Sequence, residues 1–91
     1  MMENAERMPL TPEQSRAARG LLDWSQEQLA RASHLGVSTI RDFEKGRRVP
    51  TRNNIRAMEE AFERAGVIFI DQNGGGPGVR MKRIPQSEAH L

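Results

Sequence analysis

Residues 25–46 read SQEQLARASHLGVSTIRDFEKG, and the fold turns on this stretch. Ser25 with Gln28 three positions later is a capping box. The serine hydroxyl takes the N–H of the third helical residue, and the glutamine side chain returns to the serine N–H. A helix therefore begins after Trp24, a residue expected in the core or stapled over the helix start. Leu29, Ala30 and Ala32 follow, and the helix should stop near Ser33 or His34, since Gly36 interrupts the chain. A second short helix runs over about residues 37–45, with Ile40 and Phe43 three apart on one face. Gly46 stands where a helix commonly ends on a left-handed glycine.

The same signals extend in both directions. Thr11-Pro12-Glu13-Gln14 is another capping box, with proline at the favoured first helical position. Ala18, Leu21 and Leu22 make that helix's apolar side, and it should end near Asp23. Residues 1–10 are polar and aperiodic and read as a loose leader. Downstream, residues 47–50 form a loop and Thr51 caps a further helix. Its apolar residues Ile55, Met58, Phe62 and Ala65 recur at spacings of 3, 4 and 3, and Gly66 ends it. Residues 11–66 are thus a unit of four to five short helices. Val67-Ile68-Phe69-Ile70 is β-branched, aromatic and too short for a helix; residues 73–78 are glycine-rich; residues 79–83 alternate apolar and basic. Residues 67–84 therefore read as a β-hairpin and residues 85–91 as a tail. The expected fold class is mainly α with a C-terminal hairpin.

Composition removes several function classes. With 91 residues the chain suits one domain. It has no cysteine, so thiolate metal sites, disulfides and cysteine nucleophiles are excluded. Two histidines, His34 and His90, are too few for a multi-histidine metal centre. No phosphate-cradling loop or paired acid beside histidine points to an enzyme; no cofactor, metal or small-molecule substrate is expected. No apolar run approaches the ~18 residues of a membrane span, so a cytoplasmic protein is expected. Charge is unevenly spread. Residues 37–56 carry six cations (Arg41, Lys45, Arg47, Arg48, Arg52, Arg56) against Asp42 and Glu44, while the rest of the chain is net acidic. A basic stripe on a nearly neutral chain points to a surface that meets a polyanion.

Residues 11–66 resemble the Xre family of helix-turn-helix repressors, the fold of the lambdoid phage repressors. The matching residues are Arg19, Gln26, Leu29-Ala30, Thr39-Ile40, Glu44-Lys45-Gly46 and Pro50. The chain departs from the family in the turn. The family usually has a small residue and glycine directly after the second helix, whereas here Ser33-His34-Leu35-Gly36 brings the glycine two positions later. The resemblance implies a regulator of transcription that binds double-stranded DNA, with the helix from Val37 as its reading element. It implies that Val37, Ser38, Arg41 and Asp42 face base edges. Arg41 would bond guanine, Asp42 would accept from cytosine or orient Arg41, and Val37 would touch a thymine methyl. It assigns Gln26 to phosphate and pairs Arg19 with Glu44 as a structural ion pair. Thr39, Lys45, Arg47, Arg48 and Arg52 are further phosphate candidates, setting register and affinity without reading sequence.

The hairpin raises a separate question. Alternation puts Val67 and Phe69 on one face and Ile68 and Ile70 on the other, and a strand apolar on both faces needs cover on both. One solution is a homodimer through Val67, Ile68, Phe69, Ile70, Val79 and Met81, which would set two reading helices one DNA turn apart on a palindromic operator and suit a repressor. The other is packing on the chain's own helices. An alternative function is a protein-interaction module, an antitoxin or anti-activator that grips its partner with the hairpin.

Overall fold

The computed structural model describes residues 9–71 and 74–82. Residues 1–8 of the expected leader, Arg83 and Ile84 of the expected hairpin, and the expected tail lie outside them. Among the described residues, four helices precede a two-stranded antiparallel hairpin: α1 Pro12–Leu22, α2 Gln26–Ser33, α3 Val37–Glu44, α4 Arg52–Arg64, β1 Val67–Ile70 and β2 Gly78–Met81. The fold is mainly helical, as the periodicities require. Among the described residues no helix is long and apolar enough to cross a membrane.

Both capping boxes form. Gln14 N donates to Thr11 Oγ1 at 3.0 Å and Thr11 N to Gln14 Oε1 at 3.1 Å. Gln28 N donates to Ser25 Oγ at 3.1 Å and Ser25 N to Gln28 Oε1 at 2.7 Å. At the other ends, α1, α2 and α3 stop in one way. After α3, Gly46 N bonds Phe43 O and Arg47 N bonds Asp42 O, both at 2.9 Å. This Schellman pair satisfies carbonyls the helix leaves open. Trp24 N to Arg19 O closes α1, and Leu35 N to Ala30 O closes α2. Each pair needs one left-handed residue: Asp23 (φ 58°), His34 (φ 62°) and Gly46 (φ 76°).

Only Gly46 adopts that conformation without a Cβ penalty. The left-handed region costs an ordinary residue about 1–2 kcal/mol, and Asp is among the few that tolerate it. His34 therefore carries the strain left by the displaced glycine, while Gly36 caps α3 with no side-chain bond. Replacing His34 by Gly is expected to stabilise the domain by up to about 1 kcal/mol, the strain relieved less glycine's extra unfolded-state entropy. That is a rise of several degrees in melting temperature, roughly 4–8 °C per kcal/mol at this size. An unchanged or lower midpoint would show that the His34 side chain makes compensating contacts.

The core holds Ala18 of α1, Leu29 and Ala30 of α2, Ile40 and Phe43 of α3, and Ile55, Met58, Ala61 and Phe62 of α4. Phe62 is its centre. It stacks on Trp24 and meets Phe69 of β1 edge-on, with both centroid distances 5.9 Å. Three of the chain's four aromatic rings thus join the turn before α2, α4 and the hairpin. Leu10 is buried as well, and its N–H donates to Glu59 Oε2 at 3.0 Å, so the chain is anchored just before α1.

The hairpin pairs Val67 with Met81, Ile68 with Arg80, Phe69 with Val79 and Ile70 with Gly78. Lys82 N to Gly66 O at 2.7 Å extends the ladder by one step. Alternation puts Val67, Phe69, Val79 and Met81 on one face. That face meets the domain: Val67 is buried, and Phe69 and Val79 pack on the core. Ile68, Ile70 and Arg80 share the other face. Gln14 ties the far end down. Its Oε1 completes the α1 cap, while its Nε2 donates to Gly78 O at 3.0 Å and to Ile70 O at 3.4 Å.

Candidate nucleic-acid interface

The candidate interface is built on α3, and its position is set from the inside. Ile40, Phe43 and Glu44 are buried. In a helix of 3.6 residues per turn these three lie within one arc, which leaves the opposite arc to Ser38, Asp42 and Lys45, flanked by Thr39 and Arg41. Ser38, Arg41 and Lys45 are exposed, and Thr39 and Asp42 are half-buried. Val37 sits differently: it packs in part against the core, at the inner edge of the helix.

Glu44 is the anchor. It is a buried carboxylate with only 3% of its surface exposed, and four donors converge on it. Arg19 grips it with both branches, Nε to Oε2 at 2.9 Å and Nη2 to Oε1 at 2.7 Å. Ser15 Oγ donates to Oε2 at 2.6 Å, and Gln26 Nε2 to Oε1 at 3.1 Å. Ser15 and Arg19 come from α1 and Gln26 from the first turn of α2, so one side chain of α3 is bonded to both preceding helices. Arg19 Nη1 also donates to Trp24 O at 3.0 Å, bracing the α1–α2 turn. Arg16 donates to the backbone carbonyl of Glu44, placing a cation at the negative end of α3.

The protonation equilibria follow from this geometry. Burial pushes the Glu44 carboxyl up, but the bonds from Arg19, Ser15 and Gln26 outweigh it and hold the group below the ordinary carboxylate range. The Arg19 guanidinium is pushed above its ordinary value, first by its bond to Glu44, against the opposing effect of burial. Both groups are charged at neutral pH.

The remaining cations of the basic stretch follow α3 in the chain. Arg47 and Arg48 follow α3 in the loop, and Arg52 and Arg56 lie on the first turns of α4; all four are exposed. Arg41, Lys45, Arg47, Arg48, Arg52 and Arg56 have no side-chain partner among the described residues. They are available to a polyanion without first breaking internal bonds.

Ser15 was not legible as a site residue. Ser15 lies four positions before Arg19 and so on the same face of α1; that spacing was the available signal. Gln26, assigned to phosphate by resemblance, has one amide N–H committed to Glu44. The expected hairpin surface is divided: Val67, Phe69 and Val79 face the chain's own core, while Ile70 and Met81 are the exposed apolar residues.

A family model described as helix-turn-helix matches residues 16–66, from the second turn of α1 to the glycine after α4. The hairpin lies outside the match. Comparison with curated protein sequences gives no match.

Proposed function

The chain belongs to the Xre, or lambda-repressor-like, helix-turn-helix family and is a DNA-binding regulator; from that premise we propose that it reads a specific operator with α3 and acts as a repressor, binding a palindrome as a dimer. The observation that carries this reading is the outer arc of α3, which exposes Ser38, Arg41 and Lys45 and is followed in the chain by arginines with no partner among the described residues, while its inner arc is bonded to α1 and α2. An eight-residue helix is about 12 Å long and about 10–12 Å wide, which suits the ~12 Å major groove.

Within this reading Arg41 bonds a guanine edge, Asp42 accepts from a cytosine amine or orients Arg41, and Ser38 lies between them. Val37, at the inner edge, touches a thymine methyl only with its open side. Thr39, Lys45, Arg47, Arg48 and Arg52 take phosphates. The free N–H groups that open α2 take another, with the second amide hydrogen of Gln26 beside them. The dimer would use the outer hairpin face, Ile68 and Ile70, while Met81 stands exposed at the rim of the opposite face. An operator-bound dimer then represses by occupying DNA that another protein needs.

Selection of bound duplexes from a random pool tests specificity and symmetry together: a palindromic consensus is expected, and no enrichment over random DNA would remove the reading. Arg41→Ala should cost about 1–3 kcal/mol on the selected site and relax preference at one position per half-site. Arg47→Ala should weaken selected and random DNA alike. With about six phosphate contacts, affinity should fall by orders of magnitude between ~50 and ~200 mM salt. Light scattering at micromolar concentration tests the dimer. A monomer there, unchanged by Ile70→Glu, would count against the hairpin interface.

A further inference from the structure

A recess with a volume of about 260 Å³ lies where the end of α3, the following loop, the start of α4 and the chain before α1 meet. Leu10, Phe43 and Ile55 form its buried floor, Pro9 and Val49 its walls, and Arg48 is among its lining residues. Val49 is 87% exposed, an unusual position for a valine beside an apolar floor. Arg48 has no hydrogen-bond or ion-pair partner among the described residues. None of the residues on the outer arc of α3 lines this recess.

The chemistry narrows the occupant. The walls offer almost nothing to a polar group, so the inserted part must be apolar. Among the described residues the only formal charge in the lining is the Arg48 guanidinium, whose planar fork suits a carboxylate. At roughly 30 Å³ for each water-sized group the space holds on the order of eight of them. A short aliphatic carboxylate meets all three conditions.

We propose that this recess binds a small amphipathic carboxylate, its hydrocarbon against Leu10, Phe43, Val49 and Ile55 and its anion on Arg48. Resting on the DNA reading above, the bound anion competes with a DNA phosphate for Arg48, so that occupancy loosens the protein from its operator. The chain would thereby respond to a metabolite through the loop behind its reading helix.

Sodium octanoate and 1-octanol, titrated separately into the ¹⁵N-labelled full chain without DNA, test the site. Saturable amide shifts are expected at Leu10, Phe43, Val49 and Ile55, with octanoate at least about threefold tighter than the alcohol. Arg48→Gln should bring octanoate down to the alcohol's affinity. Val49→Asp, at an exposed position, should weaken octanoate more than octanol; both variants should keep the hairpin resonances of the parent. Shifts that never saturate, equal affinity for alcohol and acid, or shifts centred on Ile68, Ile70 and Met81 would overturn the site. In a second arm, saturating octanoate should lower affinity for a labelled duplex. Octanoate bound with duplex affinity unchanged would overturn the competition. Octanoate bound by a protein that ignores every duplex would sustain the site and overturn the operator reading instead.

Discussion

Arg19→Met is expected to destabilise the domain by about 3–5 kcal/mol at neutral pH, the cost of removing one member of a buried ion pair and leaving the other behind. A chain of this length has about 5–14 kcal/mol in total, at ~0.05–0.15 kcal/mol per residue, so the loss is a large share. The residue left behind decides the size. Without Arg19, the Glu44 carboxylate, only 2% exposed at its side chain, keeps Ser15 and Gln26 but no countercharge. Glu44→Gln should cost less, because the orphaned Arg19 side chain is 20% exposed and reaches water. Urea denaturation of both variants with an unchanged slope checks the order; equal losses would mean that the pair is not buried as described.

The two chains should also respond to acid in opposite ways. In the parent, Glu44 has a folded-state pKa below its unfolded one. Its contribution is therefore complete above the unfolded carboxylate's pKa and is lost as pH falls through the folded value. In Arg19→Met the guanidinium no longer opposes burial, so the folded carboxyl rises above its unfolded value and the variant gains stability as pH falls through that raised range. Stability curves from neutral pH downward should therefore converge. Parallel curves would show that Glu44 does not titrate against Arg19.

Gln14→Glu is expected to cost about 1–3 kcal/mol, more if the carboxylate stays charged, because it turns a buried amide donor into an acceptor facing two backbone carbonyls. The substitution is selective. Glutamate serves a capping box as well as glutamine does, so the Thr11 cap of α1 survives. What is lost is the bond from Nε2 to Gly78 O and Ile70 O, which pins the loop end of the hairpin. Amide exchange should accelerate in β1 and β2 while α2 and α3 keep their protection. Uniform acceleration would show that the hairpin and the helices unfold as one unit. If the hairpin carries the proposed dimer, the variant also loosens that interface while leaving the outer arc of α3 intact.

The helix ends were legible because their causes are local. A capping box spans three residues and a left-handed terminus one, so Thr11, Ser25, Thr51 and Gly46 announced themselves wherever the chain was to fold. The apolar spacing in α4 and the β-branched run in β1 are likewise properties of a few adjacent residues. The outward arc of α3 followed too, since burying Ile40 and Phe43 dictates what faces away.

Contacts between distant segments were another matter. Periodicity showed a polar Ser15 and Gln26 without showing that both would end on Glu44, 29 and 18 residues away. Gln14 declared its role in a cap and concealed its bond to Gly78, 64 residues on. An amide has donors and an acceptor to spare, and which partner takes each depends on how helices and hairpin settle against one another. The inward turn of Val67, Phe69 and Val79 has the same origin: alternation defines two faces, and only the core, by filling one of them, decides which is left to water.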